Sequence, residues 1–516
     1  MSTTVSSVDR ISTLRSVVSN WAGLITSALL SLILTPILIR GLGNLYFGMF
    51  MLVTSLLDSC WLLDFGMRTA MFRYIARYRG SAEREELNRT FSSGIVLAGI
   101  SATLIVVLAL CAALLLPHFF SVSAADRPIF RHLLVLCGTS VAASYLAQFL
   151  GTYQCAFRRF DFYNLNTAFA GILRATLIIA ALTFHAGVRT VAAITLFSSL
   201  LALANALRLT HLADRDLSFS TGSVSPGRIR ELFGFSSSAF LGTLGDQLRF
   251  FVDSVVIGRF LGVAFITPFV IPGRIMVLYR ELGMSIASPL AGEMSAAAGR
   301  ANPQELRDRF LHATRMTALL SFLIGLLLLL NGESLIRLWV GPGFSSSVAL
   351  MLVLLAGYIL MIAQQPSVDL LLAQGKHQLR GWWNLAEGAA NLVLSIYWAR
   401  RYGLFGVALG TAVPMIFVQL FLQPWYAMRT ISLPMMHYLR DALLRPALCA
   451  SIVLGVCGAF RTWQHAYSVS WLFLSIAWQA ALFVALAWAF ALTASERGSL
   501  VRRLRPNVRE TELTSA

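Results

Sequence analysis

The gaps between the apolar stretches of this chain alternate between arginine-rich and arginine-poor, and few folds are compatible with that pattern. Fourteen apolar blocks succeed one another from Val17 to Ala494. Of the 41 Lys and Arg residues, 24 fall in the N-terminal tail, every second gap and the C-terminal tail. Seven fall in the other gaps and ten inside blocks, mostly near block ends. Cytoplasmic loops of membrane proteins carry such an excess because basic residues resist translocation. The alternation predicts a multi-span protein of the inner (cytoplasmic) membrane with both termini in the cytoplasm.

Each block is long enough to cross a hydrocarbon core ~30 Å thick, which takes about 20 helical residues. The chain is 57% hydrophobic and 13% charged, against about 25% charged in soluble domains. The blocks are continuously apolar rather than alternating, which argues against a β-barrel. The predicted fold class is an all-α membrane protein with about fourteen transmembrane helices.

The net charge of +17 is spread over the inner loops, so no nucleic-acid partner is expected. Topology and attraction to anionic inner-leaflet lipids account for it. The six cysteines all lie within blocks and none is paired as CxxC. They read as small packing residues, not metal ligands. The first block, Val17–Ile39, is too long for the core of a cleavable signal and reads as a retained span.

The gap from His211 to Glu231 holds a Ser-, Gly- and Pro-rich stretch and divides six spans from eight. The two sides look related. Arg40-Gly41-Leu42-Gly43 precedes a span ending in Asp64-Phe65-Gly66-Met67. Arg259-Phe260-Leu261-Gly262 precedes one with Glu281-Leu282-Gly283-Met284 near its end. The offsets are 219 and 217 residues, and Gly187 to Ala193 matches Gly403 to Leu409 at 216. Six spans per copy keep both copies in one orientation, so two pseudo-symmetric lobes related by an axis along the membrane normal are expected. The expected organisation is an N-terminal lobe over 1–210, a cytoplasmic linker over 211–231 and a C-terminal lobe over 232–430. Two further spans fill 431–494, and a basic cytoplasmic tail occupies 495–516.

At these residues the chain resembles the multidrug/oligosaccharidyl-lipid/polysaccharide exporter superfamily, and within it the polysaccharide-type (Wzx-like) flippases. The likeness is carried by Arg40-Gly41-Leu42-Gly43 through Tyr46-Phe47-Gly48, and by Leu63-Asp64-Phe65-Gly66 running to Arg73-Tyr74. Leu338-Trp339-Val340-Gly341-Pro342 and Leu372-Ala373-Gln374-Gly375-Lys376 add to it. The resemblance implies a bacterial inner-membrane protein that moves undecaprenyl-diphosphate-linked oligosaccharides from inner to outer leaflet by alternating access. Surface polysaccharide or lipopolysaccharide biosynthesis is the implied pathway. A polysaccharide polymerase and a chain-length regulator are the implied protein partners.

Eleven ionisable residues lie at or near membrane depth, Asp58 and Arg174 among them. A charge at the centre of a span costs ~2.5–3.5 kcal/mol, so such residues face protein or a wet cavity. Asp246, Arg249 and Asp253 stand at i, i+3 and i+7 on one face of the seventh span. They form either a charged cavity wall or a self-neutralising Asp246–Arg249 pair. Arg274, in the eighth span, has no acidic neighbour three or four residues away. It is the favoured anion-binding group, because a guanidinium makes paired, charge-assisted hydrogen bonds to a diphosphate. Arg174 is given less weight, as a partner for an acidic residue of the same lobe.

The first span carries a polar stripe of Asn20, Ser27, Ser31 and Thr35. The resemblance implies that the first and seventh spans face each other across the cavity. The candidate substrate-binding residues are therefore Arg274, Arg249, Asp246, Asp253 and Asn20. A second stripe on the eleventh span comprises Asn384, Glu387, Asn391 and Ser395. It reads either as a packing seam around a protonated Glu387 or as a cation-coupling site built on Glu387 and Asn391.

No catalytic constellation, HExxH motif or P-loop occurs in the sequence. The leading reading is a non-enzymatic transporter without metal or cofactor. A cation-coupled multidrug antiporter of the same superfamily is the second. That branch often uses an acidic residue in the first span, and Val17–Ile39 has none. A membrane-embedded polysaccharide polymerase or ligase is the third, disfavoured by the internal repeat and the short outer gaps.

Overall fold

The computed structural model describes residues 7–81, 83–120, 122–229, 252–300, 302–376, 378–459 and 468–498. All regular elements among them are helical, so the protein is an all-α membrane protein. The first helix, α1 (Ser7–Asp58), continues through a 3₁₀ turn, Ser59–Asp64. Then come α2 (Met67–Ser81), α3 (Arg84–Phe119), α4 (Arg127–Ala156), α5 (Phe160–Thr183) and α6 (Val188–Ala213). Later in the chain run α7 (Ile266–Gly299), α8 (Pro303–Trp339), α9 (Ser345–Ala363), α10 (Gln365–Ala373) and α11 (Gln378–Tyr402). The last long helices are α12 (Leu404–Phe417), α13 (Gln423–Thr430), α14 (Arg445–Ala459) and α15 (Val469–Leu486).

Eleven helical stretches among the described residues are long and apolar enough to cross a bilayer. The fourteen predicted spans map onto this set for identifiable reasons. The first two share α1, which departs from helical geometry at Gly43 (φ 73°, ψ 168°). The seventh, Leu232–Ile257, falls mostly outside the described residues. The eleventh is α11, which is too polar to count as a span by composition because it buries Asn384, Glu387 and Asn391.

By packing, the chain divides into two compact units. The first comprises Met1–Arg274 with Gln378–Pro414, and the second Ile275–His377 with Met415–Ala516. Within the first unit, Met71, Ile75, Phe91, Tyr145, Phe149 and Tyr153 form an apolar core joining α2, α3 and α4. Tyr153 donates to Asp214 Oδ2 at 2.6 Å, and Arg84 pairs with Asp214 Oδ1 at 2.7 Å. Burial pushes the Asp214 carboxyl up, but Arg84 and Tyr153 outweigh it and hold it below the ordinary carboxylate range. The predicted linker is fastened over its described part. The Ser220 and Ser225 backbone N–H groups donate to Ser92 Oγ and Ser93 Oγ, and Arg228 reaches Tyr78 Oη at 2.8 Å and Glu86.

Within the second unit, Arg315 and Glu496 are both buried and pair at 2.8 Å. Asn331, Ser475 and Gln479 close a three-membered amide–hydroxyl network between α8 and α15. Each unit also fastens the start of one span to the residue after another. Arg84 does so with Asp214, next to α6, and Arg307 donates to the Ile431 carbonyl, next to α13, at 2.7 Å. The matched glycines of the internal repeat share an uncommon backbone. Gly43 has φ 73° and ψ 168°, and Gly262 has φ 109° and ψ 154°. Such a conformation is open to glycine and strained for other residues.

Candidate functional site

In the first unit, α1 and α5 run parallel in a fixed register. Gly23 meets Asn164, Gly171 meets Leu30 and Gly41 meets Leu182, each pair 141 residues apart. A Cβ at Gly41 would come within 2.9 Å of Leu182, so the close approach depends on glycine. Side-chain direction follows from this register at about 100° per residue. On α1, Ile25, Leu29 and Ile33 fall to one side of the contact, and Ser27, Ser31 and Thr35 to the other. On α5, Leu165, Phe169 and Ile172 fall to the first side, and Thr167 and Arg174 to the second. All six of those apolar side chains are exposed. The pair is therefore a wall with an apolar face for lipid and a polar face turned away from it.

Arg174 carries the charge of that polar face. Its side chain is exposed. Arg274 on α7 interacts electrostatically with Arg174 and with Asp58. Its Nη2 lies 3.8 Å from Met51 Sδ. Asp58 is likewise exposed. It shares one helix face with Met51, Thr54 and Ser55, at the spacing i, i+3, i+4 and i+7. No ion pair within 4.0 Å joins Arg174 or Arg274 to a carboxylate among the described residues. Two guanidiniums against one carboxylate leave the group with excess positive charge.

A second polar cluster in the same unit is closed. Asp253 is buried, and Thr411 Oγ1 lies 2.8 and 2.9 Å from its two carboxylate oxygens. The Asn391 side chain is a further hydrogen-bond partner of Asp253. Ser395 donates to Asn391 Oδ1 at 2.7 Å. Glu387, one turn before Asn391 on α11, is also buried. The approach of α11 to α12 is set by Gly410, where a Cβ would stand 2.6 Å from the Ser395 backbone nitrogen.

The structure thus joins Arg274 to Arg174 and Asp58, and joins Asp253 to Asn391. Asp253 sits in the closed cluster rather than on an open wall. Asp246 and Arg249 lie outside the described residues, and so does the side chain of Asn20. The sequence names Asp58 and Arg174 as intramembrane charges without assigning them to this group. The polar spacing from Met51 to Asp58 was the available signal. Thr411, a lone hydroxyl in an apolar span, gives no signal of its own. No group of three or more His, Cys, Asp or Glu able to hold a metal occurs among the described residues.

The fold defines a polytopic helical membrane protein. Its architecture is shared with the lipid II flippase MurJ in an inward closed conformation, at TM-score 0.69 and 15% identity over 92% of this chain and 98% of that one. It is equally similar to an inward-facing multidrug resistance MATE family transporter of the MOP superfamily, at TM-score 0.69 and 15% identity over 79% of this chain and 94% of that one. The chain is 24% identical over 471 residues to the uncharacterized membrane protein EpsK of Bacillus subtilis (strain 168), covering 86% of this chain and 88% of that protein. Residues 13–266 match the family described as polysaccharide biosynthesis protein. The sequence match over residues 13–266 and the shared fold support a likeness to polysaccharide-type flippases.

Proposed function

We propose that the protein flips undecaprenyl-diphosphate-linked oligosaccharides from the inner to the outer leaflet of the bacterial inner membrane. The product would feed surface polysaccharide or lipopolysaccharide assembly, with a polymerase and a chain-length regulator downstream. The observation that carries this reading is the neighbouring pair Arg174 and Arg274, with Asp58 beside Arg274, read as the charged lining of a recess. A diphosphate offers several acceptor oxygens, which suits two planar guanidiniums better than two ammonium groups.

In this reading the lobes 1–210 and 232–430 rock about the recess while the polyprenyl tail stays in the bilayer. Both termini stay in the cytoplasm. Arg249, Asp246 and Asn20 join the recess from the seventh and first spans. The closed cluster of Asp253, Asn391 and Thr411, with Glu387 beside it, takes the coupling cation. Its buried oxygen-bearing side chains support that assignment.

The test is complementation of a strain lacking the gene, with membrane protein levels matched by blotting. Arg274→Ala and Arg174→Ala should reduce surface polysaccharide and let the lipid-linked precursor accumulate. Normal export by the Arg174→Ala/Arg274→Ala double variant would sink the proposal. Drug resistance conferred by the wild-type protein, without any effect on polysaccharide, would point to the antiporter reading instead.

A further inference from the structure

Seven of the 41 basic residues fall in the arginine-poor gaps, the set that the alternation assigns to the outer side. Basic residues resist translocation, so each of these is kept against a topological bias. Two of them, 141 residues apart in the chain, converge on one aromatic ring. Arg259 Cζ lies 5.7 Å from the centre of the Phe260 ring, and Arg400 Cζ lies 5.2 Å from the same centre. Arg259 also stands 5.4 Å from the Phe119 ring. All four side chains are exposed, Phe119 at 47% and Phe260 at 37%.

Three segments of the first unit are fixed in place to make this cluster. α3 ends at Phe119, and the next residue, Phe120, is buried with its ring 6.2 Å from that of Phe130. The π-helical turn Ile257–Leu261 packs beside it through Gly258, where a Cβ would come within 3.1 Å of Phe120. α11 carries Arg400 and Arg401 in its last turn, and Gly403, at φ 59°, follows its end. A cation there complements the helix dipole, but only within that turn. It does not account for a second guanidinium brought from another segment to the same ring. Among the described residues, no carboxylate lies within 4.0 Å of Arg259 or Arg400. Asp126, the carboxylate that follows α3, is engaged instead by Tyr46 at 3.2 Å and Ser123 at 2.6 Å. Neither guanidinium donates a hydrogen bond to a described residue. A ring contact uses none of the five N–H donors of an arginine. Two like charges therefore share one ring, with their donors uncommitted.

We infer that Arg259, Arg400, Phe119 and Phe260 form a binding site for an acidic oligosaccharide. The guanidiniums take its carboxylates by charge-assisted hydrogen bonds. The uncovered part of the Phe119 ring takes the apolar face of a sugar ring. A small inorganic anion would leave that ring unused, and a neutral sugar would leave both cations without a counter-charge. The choice of a saccharide rests on the flippase reading, in which the oligosaccharide arrives on the outer side. The site shares no residue with the Arg174–Arg274 group.

Microscale thermophoresis of the full-length protein in detergent tests this, with trigalacturonate and the neutral maltotriose as probes. The wild type should bind trigalacturonate about 10-fold more tightly than maltotriose, the factor of one charge-assisted hydrogen bond. Arg259→Gln/Arg400→Gln should abolish that preference. Arg259→Lys/Arg400→Lys should keep most of it, which separates charge recognition from a folding defect. Phe119→Ala should weaken trigalacturonate but not tricarballylate, an anion of equal charge without a sugar ring. Arg131→Gln, at an exposed position on α4, should leave the preference unchanged. Equal affinity for the two sugars, an unchanged preference in the double Gln variant, or its loss in Arg131→Gln would each overturn the inference. So would wild-type affinity in Phe119→Ala, or loss of trigalacturonate binding in Arg174→Ala/Arg274→Ala, which would move the probe to the other site. A protein that exports polysaccharide but shows no preference fails this inference alone. One that binds trigalacturonate as described but does not restore export fails the flippase reading alone.

Discussion

Arg315 Nη1 lies 2.8 Å from each oxygen of the Glu496 carboxylate, and the pair fixes the segment after α15 against α8. The Arg315 Nε also donates to the Asp441 carbonyl at 2.7 Å, so one guanidinium gathers three stretches of chain. His312 Nδ1 and the Thr493 N–H complete the shell around Glu496. Removing one member of a buried pair leaves the other charge uncompensated, at a cost of about 3–5 kcal/mol. Glu496→Ala should therefore lower thermal stability in detergent by that order. A wild-type melting temperature in the variant would contradict the assignment.

The same carboxylate sets a pH dependence. Burial raises the Glu496 pKa, but His312, the Thr493 N–H and Arg315 outweigh it and hold it at about 2, below its ordinary 4.5. A depressed folded-state pKa adds stability that is complete above the unfolded value. It is lost as pH falls from about 4.5 towards about 2. Unfolding profiles of wild type and Glu496→Gln should converge across that window. Parallel profiles would show that the group does not titrate as the geometry requires.

The proposed recess separates two arginine variants. Arg274→Lys should be less damaging than Arg274→Ala, because charge survives while the bidentate fork is lost. Both are read by surface polysaccharide at equal protein level. Equal defects would mean that fork geometry, not charge, carries the contribution of Arg274.

In the closed cluster, Thr411→Val removes a donor to buried Asp253 while keeping side-chain volume. Leaving a buried acceptor unsatisfied costs about 1–3 kcal/mol. Thr411→Ser should come within about 1 kcal/mol of wild type, a bound set by the same hydrogen-bond range. If both variants melt alike, the hydroxyl is not holding Asp253.

Glycine contacts give a paired comparison. A Cβ at Gly410 would stand 2.6 Å from Ser395 N and 2.7 Å from Ser395 Cα, and backbone cannot step aside cheaply. Gly410→Ala should cost about 1–3 kcal/mol by overpacking. Gly455 on α14 has nothing within 4 Å of such a Cβ, so Gly455→Ala should be neutral or slightly stabilising. The melting temperatures of the two variants, measured side by side, decide the point.

Topology remains open to direct test. Reporter fusions after Thr90, Arg228 and Arg497 should read cytoplasmic, and a fusion near Pro342 periplasmic, from the arginine alternation between gaps. A periplasmic reading at Arg228 would break the two-lobe organisation.

The sequence by itself determined the membrane class and the helical fold. Apolar runs of spanning length and the alternation of arginine are properties of the chain in one dimension, and a bilayer reads them directly. It also matched Gly43 with Gly262 through the repeated motif, and the structure shows both at positive φ. Only the tertiary structure decided which intramembrane charges belong together. Arg274 shows no local acidic neighbour, yet Asp58 and Arg174, 216 and 100 residues away in the chain, share its field. Asp253 reads as a cavity residue from its spacing, but Thr411 and Asn391 close over it. Helix periodicity fixes the face on which a side chain stands. What that face meets depends on contacts between segments distant in sequence, and those are set by close packing at residues such as Gly41, Gly171 and Gly410.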